Sequence, residues 1–385
     1  MSGRITPLMV IGIAFTSGYA ISATHVADSR GNGMGNTGVA SADYLVAPFY
    51  NPALTANYRD SDDVGLLLPA LGVTVKDTDE TLKEADDLQD TIEAFEDQPI
   101  PDASIITQLN DHLDELQGNK PLTVTANGGL AVAIPNQYVA VNIFTQGYVE
   151  VIGLTQISSY VDTGNAITDT EDRYNSSKIE LAAFGYTEFG VSFAKQLQIQ
   201  GQMVSLGISP KYQQLKTYYD SATVEDFDLS DYDQSEKKKN TFNLDIGAVW
   251  YKDNWQVGMA IRDLFKKDIK TQNSAIKYEL TPQATVAAAY TSQFVTLAVD
   301  ADLTAQTRYN NIDDDTQFVR FGVEGNAWDW LQVRAGYQID TKDTIDNTIT
   351  AGIGVSPFDV VSFDIAGSYV DENEFGGSAN LAFTF

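Results

Sequence analysis

Along most of this chain apolar and polar residues alternate one by one, the signature of strands with one greasy and one wet face. Val139, Val141, Ile143, Val149 and Val151 share a face opposite Asn142, Gln146 and Glu150. Val295, Leu297, Val299, Ala301 and Leu303 oppose Thr296, Asp300, Asp302 and Thr304. Leu331, Val333, Ala335, Tyr337 and Ile339 oppose Gln332, Arg334, Gln338 and Asp340. A slip of one residue would carry charges into the apolar set, so register is strongly specified. The pattern predicts about fourteen strands, over 64–75, 121–134, 138–153, 178–194, 201–218, 240–251, 255–267, 277–291, 294–307, 316–326, 330–341, 347–356, 360–371 and 375–385.

The connections alternate between two kinds. Short ones fall at 135–137, 252–254, 292–293, 327–329 and 357–359; longer or more acidic ones fall at 154–177, 219–239, 268–276, 308–315, 342–346 and 372–374. Short turns on one rim and long loops on the other are expected of an outer-membrane barrel, with the short rim periplasmic. The last strand, Phe375 to Phe385, resembles the closing strand of bacterial outer-membrane barrels, whose final residue is typically Phe. Trp250, Trp255, Trp328 and Trp330 are the only tryptophans and all flank predicted short turns. Indole favours the membrane–water interface, so they are expected to form a periplasmic aromatic girdle.

Residues 78–118 leave the strand pattern. Leu82, Ala85, Leu88, Ile92 and Phe95 recur at helical spacing, and Ile105, Ile106, Leu109, Leu113 and Leu116 do so after Pro99 and Pro101. A helical hairpin is expected there, and parity puts it outside the cell. The first 23 residues read as a signal peptide: Arg4, an apolar core from Leu8 to Phe15, then Gly18, Ala20, Ser22 and Ala23.

Composition narrows the chemistry. There is no cysteine, which removes disulfides, thiol catalysis and thiolate metal sites. With 24 Lys and Arg against 53 Asp and Glu, the formal charge is −29, so the chain repels nucleic acid and no nucleic-acid partner is expected. No apolar run long enough for a membrane helix follows the N-terminal segment. Gly33-Met34-Gly35-Asn36-Thr37-Gly38 fits a dinucleotide fingerprint, but Asp28, Ser29 and Arg30 precede it instead of a buried strand. Its glycines suit a backbone folded inside a narrow lumen. Asp226, Asp228, Asp231 and Asp233 miss the spacing of a calcium loop. No catalytic residues, cofactor or metal are expected.

Parity sends Arg262, Arg320, Arg334, Asp300, Asp302, Glu324 and Asp364 into the lumen, beside Glu188 and Asp245. Such charges on the lipid face would cost roughly 2–4 kcal/mol for a mid-membrane Arg or Lys. Their placement therefore supports the register.

Arg30 to Ala56 reads RGNGMGNTGVASADYLVAPFYNPALTA. Its Gly-rich start, the G-V-A-x-A-D stretch and the aromatic before Asn51-Pro52-Ala53 resemble the N-terminal hatch of FadL-type outer-membrane transporters. Within that superfamily the chain resembles the conjugal transfer TraF-like outer-membrane proteins. The resemblance implies an all-β transmembrane barrel of about fourteen antiparallel strands, 61–385, plugged by a luminal hatch over 24–60. It implies Gly33, Gly35, Gly38, Asn51, Pro52 and Ala53 as hatch residues, and passive uptake of small hydrophobic compounds. The expected partners are outer-membrane lipid, lipopolysaccharide and a hydrophobic ligand, with the chain a monomer. A structural or contact role linked to conjugal plasmid transfer is the alternative.

Overall fold

The computed structural model describes residues 26, 28–119, 121–224, 235–272, 276–310, 315–327, 330–357 and 360–385. The signal segment, Trp328 and the aspartates between 226 and 233 lie outside them. The strands are β1 (Gly65–Lys76), β2 (Leu122–Ile134), β3 (Ala140–Gln156), β4 (Lys178–Ile199), β5 (Gln202–Thr223), β6 (Lys237–Lys252), β7 (Trp255–Arg262) and β8 (Lys267–Lys270). They continue as β9 (Lys277–Leu280), β10 (Gln283–Thr291), β11 (Val295–Asp302), β12 (Phe318–Ala327), β13 (Leu331–Asp340), β14 (Thr348–Val355), β15 (Val361–Tyr369) and β16 (Glu374–Thr384).

Fourteen of them close into one antiparallel barrel; β8 and β9 form a separate two-stranded sheet, and Tyr278 of β9 also bridges Tyr309. Closure joins β1 to β16, from Gly65 opposite Thr384 to Lys76 opposite Glu374. It leaves the barrel with no free edge, the condition for strands to cross a bilayer. β1 carries a bulge between Leu67 and Ala70 against both neighbours. Pro69 lies within it, at a place where a ladder N–H can be spared.

Side chains follow the predicted alternation. On β11, Leu297 and Val299 are exposed while Thr296, Ala298 and Asp300 are buried inside. Outward Phe189, Ile208, Val257, Val323, Ile353 and Phe363 extend the same apolar band around the wall.

One expectation needs correcting. The strands predicted over 255–267 and 277–291 end and begin at Arg262 and Gln283, and the segment between them is a separate hairpin, β8–β9. Asp263 has φ +50°, which breaks the run after β7, and Pro282 precedes β10 without an N–H to donate. The Thr217 hydroxyl, on the inner face of β5, donates to the Lys270 carbonyl at 3.1 Å, so the hairpin folds inward over the long-loop mouth.

The helices are α1 (Ser29–Gly33), α2 (Thr81–Glu96), α3 (Ala103–Leu116) and α4 (Ala166–Ser176). α2 and α3 form the predicted hairpin. Asp77 accepts from the Thr81 and Leu82 N–H groups, and Asp102 caps α3 through Ser104 and Ile105. Leu88, Ile92, Phe95, Leu109 and Leu113 pack together and against Tyr174 of α4, Ile179 and Val224. The apolar stripe is thus consumed on the extended ends of β4 and β5.

Candidate functional site

The lumen is filled in layers, and the inward residues of β5 read them in order. Nearest the short-turn rim, the Ser205 hydroxyl donates to the Ala53 carbonyl at 2.6 Å. Beside it, a Cβ on Gly207 would lie 2.3 Å from the Pro52 carbonyl carbon, so the N-terminal segment rests directly on the wall. Phe49, Leu54, Tyr44 and Leu45 of that segment share a buried cluster with Leu67, Ala131, Phe144 and Val249 of the barrel.

Polar contacts fix the segment all around. Asn51 caps the short 3-10 helix Pro52–Ala56, its Oδ1 accepting from the Ala53 N–H at 3.0 Å. Its Nδ2 donates to the Val39 and Ala248 carbonyls. Asn142 Nδ2 donates to the carbonyls of Tyr44 and Leu45. Gly35, at φ +68°, donates to Thr350 Oγ1 at 2.8 Å. The Gly38 and Val39 N–H groups both donate to Asp300 Oδ2 at 2.9 Å. Gly33 lies against Gly352, where a Cβ would come within 3.0 Å of backbone. The six motif residues therefore meet in one plug, with Pro52 and Ala53 in its 3-10 turn.

Six of the seven predicted luminal charges surround this plug. Arg334 bridges Glu324, at 2.6 Å, and Asp364; Arg30 from the plug adds two hydrogen bonds of 2.9 Å to Glu324. Arg320 holds Asp302 with bonds of 2.8 and 3.0 Å. Arg262 lies elsewhere, among Asp245, Asp263 and Glu188.

That second ionic group forms the next layer up β5. Lys211, with no exposed side-chain surface, ion-pairs with Asp245 at 2.9 Å, Asp263 at 3.0 Å and Glu188 at 3.2 Å. Gln213 donates to Glu188 and Asp263. Sequence reading missed Lys211 and Arg30. For Lys211 the signal was present: it occupies an inward parity position on β5, opposite Tyr212.

Above it the lumen turns aromatic. Leu215 packs with Tyr148, Ile152, Phe184 and Tyr186 of β3 and β4, and with Ile269, Ile276 and Tyr278 of the inward hairpin. The Tyr278 ring lies flat on Phe184, with 3.3 Å between centroids and 4° between planes. Tyr309 meets it edge-on at 5.1 Å.

Across the lumen, between α1 and strands β1 and β14–β16, lies a cavity of about 40 Å³. Asn32, Asn36, Lys76, Gln338 and Glu374 line it, a setting suited to a few waters. On the outer helices, Glu84, His112 and Glu115 bring potential ligand atoms within 4.8 Å of one another. Burial raises the Glu84 carboxyl, but hydrogen bonds from Glu115, His112 and Lys83 outweigh it and hold the group below its usual range. Glu115, hydrogen-bonded to the charged Glu84, is raised instead.

Trp250, Trp255 and Trp330 are 36%, 54% and 48% exposed and lie beside the short turns. Trp250 Nε1 donates to Gln202, and Trp255 packs edge-on against Tyr290.

Solved structures share the fold of this closed fourteen-strand barrel. The toluene transporter TbuX of Ralstonia pickettii superposes with a TM-score of 0.54 at 11% identity, over 92% of this chain and 96% of that one. A Pseudomonas aeruginosa FadL homologue gives 0.52 at 12% identity, covering 96% and 99%. CymD, a monoaromatic hydrocarbon channel, gives 0.53 at 10% identity, covering 94% and 99%. No curated protein matches the sequence. The chain belongs to the family described as F plasmid transfer operon, TraF, protein, whose model matches residues 48–302.

Proposed function

We propose that this protein is a monomeric channel of the bacterial outer membrane, exported by its N-terminal signal, that lets small hydrophobic compounds enter by diffusion past a displaceable hatch, residues 24–60. The observation that carries this reading is the layer of Tyr148, Phe184, Tyr186 and Leu215, set above the Lys211 ionic layer of the lumen. A wall that only sealed the barrel could be polar throughout, whereas buried aromatic surface recognises apolar solutes. TbuX is named as a toluene transporter and CymD as a monoaromatic hydrocarbon channel, which supports a transport role. Trp250, Trp255 and Trp330 then mark the periplasmic interface, and the apolar band faces lipid beneath lipopolysaccharide.

Uptake of labelled monoaromatic and long-chain compounds into proteoliposomes tests the reading. Uptake above that of empty vesicles, increased when residues 26–60 are removed, is expected. Equal uptake by protein-free vesicles for every compound would overturn it.

A contact role in plasmid transfer is favoured by the family description and by the acidic helical hairpin α2–α3 on the outer rim. Deleting residues 81–116 separates the two: loss of mating with uptake intact would support contact.

A further inference from the structure

We infer that the foot of the α2–α3 hairpin carries a transition-metal site, in which Glu84, His112 and Glu115 hold one divalent ion of the zinc type and tie the two helices together. The site lies outside the lumen, and the inference stands whether or not the barrel is a channel.

The packing of the helices brings the three residues face to face. Leu88 of α2 shares a buried cluster with Leu109 and Leu113 of α3. One turn nearer the barrel, Glu84 comes opposite His112 and Glu115. These last two are three positions apart on α3 and so share one face of it. His112 Nδ1 and Glu84 Oε2 are 3.1 Å apart, and with a Glu115 oxygen the three ligand atoms lie within 4.8 Å of one another. Zinc bonds of roughly 2.0–2.2 Å to nitrogen and oxygen set two corners of a tetrahedron about 3.4 Å apart. The Glu84–His112 pair is already close to that spacing. Glu115 is exposed, so rotation of its side chain closes the remaining distance.

The surroundings favour a cation at this point. Lys83 Nζ meets Glu84 Oε1 at 3.2 Å, which leaves Oε2 turned toward His112. Lys83 also pairs with Glu80 and Asp87, so its single charge is divided among three carboxylates and the cluster stays negative. Glu84 and Glu115 are themselves in hydrogen-bond contact. Two carboxylates that close repel unless a proton or a cation is shared between them.

The imidazole decides the kind of ion and separates this cluster from the solvated aspartates elsewhere on the chain. Calcium and magnesium take six or more oxygen ligands, whereas one imidazole and two carboxylates make a three-ligand zinc set with a fourth position for water. Sequence spacing gave no sign of it, because the chain has only two histidines and Glu84 precedes His112 by 28 residues. The ligands meet only when the hairpin closes. Glu84 stands in the first turn of α2 and Glu115 in the last of α3, so a bound ion pins the hairpin where it leaves β1 and enters β2.

The full chain without an affinity tag, refolded in detergent, is titrated with Zn²⁺ in competition with a fluorescent chelator. One saturable site is expected, and it should persist in excess Ca²⁺ or Mg²⁺. Glu84→Gln and His112→Gln should each weaken Zn²⁺ binding at least about tenfold, since one ligand comes from each helix. Asp90→Asn, which removes the same charge from an exposed position on α2, should leave binding unchanged. Glu115→Gln replaces either ligand variant that fails to regain heat-modifiable gel migration. Absence of a saturable site, or equal binding by wild type and His112→Gln, would overturn the inference and leave only diffuse attraction of the ion to an acidic surface. The uptake assay is independent of this titration, so the channel reading stands or falls separately.

Discussion

Arg30 and Glu324 lie 294 residues apart and are joined by two hydrogen bonds of 2.9 Å, locking the inner segment to the barrel wall. Glu324 also accepts from Arg334 at 2.6 Å, so one carboxylate bridges two guanidinium groups, and Asp364 supplies Arg334 with a second anion. Breaking a buried pair by removing one partner costs about 3–5 kcal/mol, because a charge is left uncompensated. Glu324→Gln should therefore loosen the plug more than Arg30→Met, which leaves Arg334 still paired. Single-channel conductance checks this: frequent openings are expected for Glu324→Gln, few for Arg30→Met. Indistinguishable traces would contradict it.

Glycines where plug and wall touch give a second expectation. A Cβ on Gly336 would lie 2.1 Å from the Gly35 nitrogen, while one on Gly367 meets only the Gly376 oxygen at 3.6 Å. Gly336→Ala should expose residues 26–60 to protease while the barrel keeps its heat-modifiable gel migration. Gly367→Ala should match wild type in both assays. Protection of the segment in Gly336→Ala would show that the close approach is dispensable.

The strands were legible because burial on one face forces a period of two, and a slip would move Asp300, Glu324 or Arg334 into lipid. Asn51-Pro52-Ala53 was legible through its resemblance to the FadL-type hatch, and the structure shows Asn51 capping the turn that Pro52 begins. The β8–β9 hairpin was not. Ile269, Ile276, Tyr278 and Leu280 carry apolar side chains at strand-like intervals, and alternation cannot tell a strand that continues in the wall from one that turns into the lumen. Asp263 and Pro282 were the available clues. Arg30 was read only as part of a glycine-rich stretch. Its partner on β12 is set by tertiary packing, which local patterning does not report.

The cap of α3 carries a pH dependence. Asp102 accepts from the Ile105 N–H and from Ser104, and these bonds hold its carboxyl below the ordinary range. A depressed folded value means its contribution is complete above the unfolded value and fades as pH falls through the folded one. Limited proteolysis of the turn at residues 97–102 should therefore quicken in acid below the usual carboxylate range. Asp102→Asn keeps an acceptor without the charge and should flatten that profile. An unchanged acid response in the variant would assign the effect to other carboxylates.

The interfacial tryptophans make a spectroscopic prediction. With Trp250, Trp255 and Trp330 beside the short turns, nitroxides near the lipid headgroups should quench emission more than nitroxides at the bilayer centre. Stronger quenching from the centre would displace the girdle from the interface.

The most direct test of the whole account is a cysteine scan of β11, residues 296 to 300, with spin labels in liposomes. Labels at Leu297 and Val299 should be reached by oxygen dissolved in lipid, and labels at Thr296, Ala298 and Asp300 should not, in strict alternation. Uniform accessibility to a water-soluble relaxant along the strand, with no period of two, would contradict a closed barrel in a membrane.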